Sequence, residues 1–312
     1  MENLPQYIND NSKIYTISIF PSGDFIVSTK NKLKLYDSNN NVINTIDNAH
    51  DIYTIYIINQ NTFYTGNVKG NIEKWKLNTN NNEHITYERE NKFKAHNNEI
   101  SKLLVINDYI YTCSYDGTIT IRNIQTIQET LYKIEGLESV SSIIHDEDYE
   151  LLVCSSSKGF FIYNDLFDTE NKINKIYFEG LSIFSQNTIQ FFEKNDKLIK
   201  IIVGCENLIK IYSVSKDNNV NLTQQIQTDY ICSAIYVLES NEKITFITGE
   251  LHINSYAEDE NNKIRIYQNI DIIHEQSYAH KSKINGFIKF RDNTLLSYSN
   301  DGIIKFWRIN LN

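Results

Sequence analysis

The sequence predicts an all-β fold, a seven-bladed β-propeller formed by a single domain over residues 1–312, and three observations predict it. First, the C-terminal phrase AHKSKINGFIKFRDNTLLSYSNDGIIKFWRI recurs upstream as AHNNEISKLLVINDYIYTCSYDGTITIRNI, and in eroded form from Ala49-His50 through Gly70 to Trp75. Self-similarity at a period of ~40–45 residues, with histidine early and tryptophan late, marks a propeller of four-stranded units. Second, the 312 residues shared among seven units leave about 45 for each, the length one blade needs. Third, no helical periodicity persists. Strand-like runs of five to eight residues, rich in Ile, Tyr, Val, Thr and Phe, are separated by Asn, Asp, Ser and Lys.

Each unit shows two apolar runs, a short polar turn, and an alternating run that ends in an aromatic. Unit one is IYTISIF, FIVST and KLKLYD, with Tyr36 in the late aromatic position; unit two is DIYTIYII, TFYTG and NIEKWKL, ending at Trp75. Unit three ends at Arg122, where the aromatic is lost. Units four, five and six end at Tyr163, Tyr212 and Tyr267, and unit seven at Trp307. In KLKLYD, LIKIY, KIRIY and IIKFW one face carries Leu, Ile or Phe into the packing between blades, while the other carries Lys or Arg, whose stems lie on the sheet and whose heads stay wet. Four strands alone have too little core, so each blade must bury its faces against neighbours. The sequence stops at Asn312, which leaves unit seven one strand short, and Leu4–Ile8 precedes unit one with no other place to pair. That segment is expected to complete the last blade and to cover a sheet edge that otherwise invites aggregation.

Composition narrows the function. A net charge of −9 and a pI near 5.3 argue against a nucleic-acid backbone or an anionic membrane as the main partner, because both need clustered Lys and Arg. Cys113, Cys154, Cys205 and Cys232 form no C-x-x-C pair and read as small buried hydrophobes in a reducing compartment. No apolar window has the length of a signal core or a membrane span. The expected location is therefore the cytoplasm, with the nucleus as the alternative. No phosphate cradle of either common kind occurs, so no cofactor and no metal is expected. The run His145-Asp146-Glu147-Asp148 reads as a solvated turn rather than a cation site. Asn is abundant where Gly and Pro are scarce (11 and 2), and it is expected to take the place of Gly in turns, since it tolerates left-handed geometry.

On these repeats, specific in units two, three and seven and generic elsewhere, the chain resembles the WD-repeat family. The resemblance implies that His from the loop before a blade, a hydroxyl from its second strand, Asp from the next turn and Trp from its third strand form a hydrogen-bonded chain. Unit seven would use His280, Ser299, Asp301 and Trp307. Unit three keeps His96, Ser114 and Asp116 with Arg122 in place of Trp, and unit two keeps His50 and Trp75 with Lys69 at the Asp position. The role of these groups is structural, each bond contributing ~1 kcal/mol net. Reading Ser299, His280 and Asp301 as a hydrolase triad fails, because no G-x-S-x-G elbow or oxyanion donor accompanies the serine.

The resemblance also implies a non-catalytic scaffold that binds protein or peptide partners, within a multiprotein complex, at the narrow face. The residues placed there are Lys13 and Tyr15, Ile52 and Thr54, Glu99 and Ser101, Ser139 and Ser141, Thr188 and Gln190, Tyr230 and Cys232, Lys283 and Asn285, joined by Tyr115 and Asn300. Tyr15, Tyr115 and Tyr230 are the best anchors, because Tyr gives large contact area at low entropic cost; against this stands a composition rich in Tyr throughout. Two insertions stand out. Glu250–Asn262, with Glu258-Asp259-Glu260, reads either as a partner-contacting arm or as Asn-rich expansion, and Asn78–Asn91 reads as padding. The alternatives are a structural subunit of a coat, ribosome-biogenesis, cytoskeletal or ubiquitin-ligase assembly and, remotely, a propeller enzyme.

Overall fold

The computed structural model describes all residues except 79–84, 165–174, 180–187, 218, 239–243, 252–261, 292 and 311–312. Its described residues form strands and turns with no helix, and so none long and apolar enough to cross a membrane. The strands make seven four-stranded sheets, a seven-bladed β-propeller. The N-terminal strand β1 (Glu2–Asn9) stands apart in sequence from its sheet. Blade one is β2 (Ile14–Ile19), β3 (Phe25–Thr29), β4 (Lys32–Tyr36) and β5 (Val42–Asp47). Blade two is β6 (Ile52–Asn59), β7 (Thr62–Asn67), β8 (Asn71–Asn78) and β9 (Thr86–Lys94). Blade three is β10 (Ile100–Ile106), β11 (Tyr109–Ser114), β12 (Ile119–Asn123) and β13 (Tyr132–Ile134). Blade four is β14 (Val140–Asp146), β15 (Leu151–Ser156), β16 (Gly159–Asn164) and β17 (Lys175–Glu179). Blade five is β18 (Ile189–Lys194), β19 (Leu198–Gly204), β20 (Leu208–Ser215) and β21 (Val220–Gln227). Blade six is β22 (Ile231–Leu238), β23 (Thr245–Leu251), β24 (Asn262–Gln268) and β25 (Asp271–His280). Blade seven is β26 (Ile284–Arg291), β27 (Thr294–Ser299) and β28 (Ile303–Arg308), completed by β1.

The expected clasp is present. β1 runs antiparallel to β28, with Asn3 opposite Trp307 and Ile8 opposite Ile304. Leu4 and Ile8 pack against Leu296, Ile304 and Phe306. The segment Asn78–Asn91 is not padding throughout: Thr86–Asn91 belongs to β9, the outer strand of blade two, where Tyr87 is buried against Phe20 and Phe63. The apolar Tyr87 was masked in sequence by its charged neighbours.

By compactness the chain divides into two units, Met1–Val140 with Phe287–Asn312, and Ser141–Gly286. Within the first, apolar residues gather between successive blades. Phe20, Ile26, Leu33 and Leu35 of blade one meet Ile52, Phe63 and Trp75 of blade two, and Tyr64 and Ile72 meet Ile100, Leu103 and Ile110 of blade three. Within the second, Leu151, Phe160 and Ile162 meet Ile199, Ile201 and Val203. The period-2 reading of the third strands holds, since KLKLY buries Leu33 and Leu35 while Lys32 stays exposed. None of the four cysteines is in a disulfide and all are buried, and burial pushes the Cys113 thiol up to about 12.

Asn replaces Gly in tight turns as expected. Asn11, Asn31, Asn40, Asn48, Asn107 and Asn269 all have φ between 52° and 72°. True glycine is kept where space also forbids a side chain. At Gly117 (φ 82°) a Cβ would meet the Glu138 carbonyl oxygen at 2.9 Å, and at Gly302 (φ 79°) that of Ser12 at 2.9 Å.

Candidate partner-binding site

The polar networks inside the blades determine which groups remain for function. In blade three the His96 ring lies 2.8 Å by Nε2 from Thr112 Oγ1, which lies 2.9 Å from Thr120 Oγ1. Its Nδ1 lies 2.9 Å from Thr118 Oγ1 and 3.3 Å from the Asp116 carboxylate. Burial drives the His96 pKa down, against the pull of Asp116 upward. Burial alone would raise Asp116, but hydrogen bonds from the Thr118 hydroxyl and the Asn97 N–H outweigh it and hold the carboxyl low. The bridging hydroxyl is therefore Thr112 rather than Ser114, whose Oγ accepts the Asp116 N–H instead.

The same displacement by two residues recurs. Trp307 Nε1 donates to Ser297 Oγ at 2.8 Å, while Ser299 Oγ accepts the Asp301 N–H at 3.2 Å. Trp75 Nε1 donates to Thr65 Oγ1 at 3.0 Å. Cross-strand register explains it: Trp75 pairs with Phe63, Trp307 with Leu295 and Arg122 with Ile110, and the side chain two residues further along, on the same face, is Thr65, Ser297 or Thr112. His50 adopts left-handed geometry (φ 47°) and its ring makes no hydrogen bond among the described residues. Blade two is held instead by the buried Glu73, which accepts from Asn67 Nδ2 at 3.2 Å and Arg89 Nη1 at 3.1 Å. Arg122, in the Trp position of blade three, donates to the Ile127 and Gln128 carbonyls. Blade six uses a buried Glu250, which accepts from Thr248, Arg265 and Tyr267. Glu250 is therefore interior rather than part of a projecting arm, and Glu258-Asp259-Glu260 lies outside the described residues. All these groups are committed to holding strands together.

Four of the inner strands begin with a β-bulge. Register shifts fall between Ile14 and Thr16, Ile52 and Thr54, Ile100 and Lys102, and Cys232 and Ala234. A bulge interrupts alternation and re-aims side chains. This sorts the expected contact residues. Thr54 (4% exposed), Ser101 (1%) and Ser141 (2%) are interior. Thr54 Oγ1 accepts the Leu103 N–H, Ser101 Oγ donates to the Val140 carbonyl, and Ser141 Oγ bonds Ser155. They link strands. Cys232 is buried too, and Gln190 Oε1 accepts the Val237 N–H at 2.9 Å. Tyr230 is half-buried, its ring 4.9 Å from Lys263 Nζ and 5.3 Å from the Arg265 guanidinium. Lys283, Asn285 and Asn300 are half-buried.

No protein-family model matches the chain, and no curated protein matches it. The site therefore rests on its own geometry. In the first unit the structure brings together Lys13, Tyr15, Glu99 and Tyr115, and adds Asp51 and Tyr53, which sequence reasoning missed. Tyr15 and Tyr53 have ring centroids 4.8 Å apart with a 46° tilt. The Tyr15 hydroxyl donates to Asp51 Oδ2 at 3.1 Å, and Asp51 Oδ1 accepts the Asn31 N–H at 2.9 Å. Lys13 Nζ rests 4.9 Å from the centre of the Tyr15 ring. The Tyr115 N–H donates to the Glu99 carbonyl at 3.1 Å. Burial first, then the charges of Glu99 and Asp51, push the Tyr53 phenol up to about 12. Burial, then Asp51, holds Tyr15 above the ordinary tyrosine range. Lys13, Asp51, Tyr53, Glu99 and Tyr115 all keep part of their surface open.

The missed pair had a signal in the sequence. Lys13-Ile14-Tyr15-Thr16-Ile17 and Asp51-Ile52-Tyr53-Thr54-Ile55 differ only in their first residue. Aligning those pentapeptides places Asp51 and Tyr53, not Ile52 and Thr54, on either side of the first buried strand residue.

Proposed function

We propose that the chain is a WD-repeat-type propeller acting as a non-catalytic scaffold in the cytoplasm or nucleus, and that it binds a protein or peptide partner where its first three inner strands begin. One observation carries this reading: Tyr15, Tyr53 and Tyr115, with Lys13, Asp51 and Glu99, form a partly open patch of rings and charges while the polar groups around it are consumed in strand-to-strand bonds. Tyr supplies area with few rotatable bonds, and its hydroxyl supplies a polar tip, the combination found at interface hot spots. The histidine and hydroxyls that resemble catalytic groups point the other way. The His96–Thr112–Thr120 chain is buried and terminates on protein atoms, so no nucleophile there is within reach of a substrate.

The test is the double variant Tyr53→Ala, Tyr115→Ala, used as bait in affinity purification with mass spectrometry beside the wild type. The expected result is the disappearance of one or more partners with an unchanged unfolding midpoint. Retention of every partner would overturn the assignment.

A second reading has one observation of its own. On β25, the outer strand of blade six, Ile272, Ile273 and Tyr278 are 49%, 50% and 66% exposed. An outer strand apolar on both faces fits a subunit that docks edge-on in a larger assembly. Ile272→Lys with Ile273→Lys would then remove partners that the tyrosine variant keeps.

A further inference from the structure

We infer that the group recognised by the Tyr15–Tyr53 cluster is the cationic head of a lysine or arginine side chain of the partner, and that Lys13 holds its place in the free protein. This rests on the reading of the cluster as the partner-binding site. Two carboxylates, Asp51 and Glu99, share the cluster with one cation, Lys13. The cluster thus carries a formal charge of about −1, from −2 and +1, before any partner arrives. Asp51 is fixed by bonds from the Tyr15 hydroxyl and the Asn31 N–H, so its charge cannot turn away. Glu99 has its carboxyl pushed up by burial, and the pull of Lys13 downward does not compensate, with Asp51 adding to the rise. The electrostatic demand at this point is for more positive charge.

The form of that charge is shown by the protein itself. Lys13 makes no ion pair within 4 Å among the described residues; its ammonium lies against the Tyr15 ring. Tyr53 packs against that ring at 4.8 Å with a 46° tilt and Asp51 accepts the Tyr15 hydroxyl, so the ring that holds the ammonium is itself fixed between a second ring and a carboxylate. A cation over an aromatic face is held by the ring quadrupole, and carboxylates beside it add Coulomb attraction. Lys13 is half-exposed on a flexible stem and can swing out to solvent when a better-placed cation enters. An anionic or aliphatic side chain would meet Asp51 and Glu99 with nothing to offset them.

The experiment titrates the whole protein, labelled with ring-13C tyrosine, with capped glycine-flanked peptides whose central residue is lysine, arginine, trimethyllysine, norleucine or glutamate. Tyr15 and Tyr53 signals are assigned from their Phe variants. The expected result is saturable shifts of those two signals by the three cationic peptides and by neither of the others. Binding should weaken in Glu99→Gln. It should strengthen about two- to five-fold in Lys13→Met, the factor one exposed cation–π contact represents. Equal shifts with norleucine, no shift with any cationic peptide, or unchanged affinity in Lys13→Met would overturn the inference. Failure of the underlying reading looks different. If cationic peptides bind but the Tyr53→Ala, Tyr115→Ala bait keeps all partners, the cluster takes cations while the partner docks elsewhere. If the bait loses partners and no cationic peptide binds, the docking face stands and the cation does not.

Discussion

Replacing Gly66 by alanine tests how closely neighbouring blades approach. Gly66 lies in β7, and a Cβ there would fall 2.5 Å from Ile100 Cγ2, 2.8 Å from Thr54 Cγ2 and 2.9 Å from Ile100 Cβ. Its backbone lies outside the left-handed region, so alanine is conformationally acceptable and the whole cost is steric. Ile100 opens the inner strand of the next blade and is fully buried, which leaves its side chain no room to retreat. Overpacking of this kind costs ~1–3 kcal/mol, and the stiffer unfolded chain returns ~0.4–1 kcal/mol. With three atoms inside 3 Å, the upper part of the first range applies, and the net loss is about 2 kcal/mol. Urea unfolding followed by the fluorescence of Trp75, in the same blade, reads it as a lower midpoint at unchanged slope. Ile100→Ala removes the nearest colliding atom, so Gly66→Ala with Ile100→Ala should cost less than the two singles together by ~1 kcal/mol or more. An unchanged or raised midpoint in Gly66→Ala, or strict additivity with Ile100→Ala, would refute the close approach.

Three further outcomes are expected. Ile8→Asp should loosen β1 from β28, lowering the unfolding midpoint and speeding hydrogen exchange of the β28 amides; exchange unchanged from wild type would show that the clasp is not needed. Trp307→Phe and Ser297→Ala should each cost ~1 kcal/mol, and the double variant less than their sum, because each removes the same bond; full additivity would mean that bond contributes nothing. The low His96 pKa makes stability pH-dependent. The unfolded imidazole binds protons below about 6.5 while the folded one resists them, so stability is complete above that pH and falls as pH drops below it, by at most ~1.4 kcal/mol per unit. Asp116, also held low, adds a further loss below about 3.9. A denaturation series from pH 8 to 5 should show the first slope, and His96→Asn should flatten it; the same slope in both proteins would assign it elsewhere.

Fold was legible because it is written in many places at once. The alternation in KLKLY, LIKIY and IIKFW fixes which face of each third strand is buried, and Leu4–Ile8 could be paired with β28 by elimination. Outer strands were the weak point. β9 reads TYERENKFK, and only Tyr87 among its first six residues is buried, because an outermost strand covers its sheet edge and gives most of its surface to water. A strand held mainly by backbone bonds leaves little trace in hydrophobic pattern.

The site was less legible because it depends on offsets of one or two residues. Motif matching placed the bridging hydroxyl at Ser114 and Ser299, since each precedes a turn aspartate by two. Cross-strand pairing decides otherwise, because the residue an indole can reach lies two beyond its direct partner on the same face. That position is Thr65, Thr112 and Ser297 where Trp or His is present, but Val27 and Cys154 in blades that carry Tyr36 and Tyr163. An indole N–H over valine would be buried without an acceptor. A phenol carries its polar atom further out: Tyr36 reaches Asp10 at 3.4 Å, while the Tyr163 hydroxyl is buried with no hydrogen-bond partner among the described residues. A hydroxyl at that position permits an indole without requiring one, since blade six carries Tyr267 where the corresponding residue is Thr248, whose hydroxyl donates to Glu250 instead. The bulges are harder. Nothing in Ile52-Tyr53-Thr54 announces that the middle residue is the extra one, yet that one residue sends Thr54 inside and leaves Tyr53 half-exposed beside Tyr15.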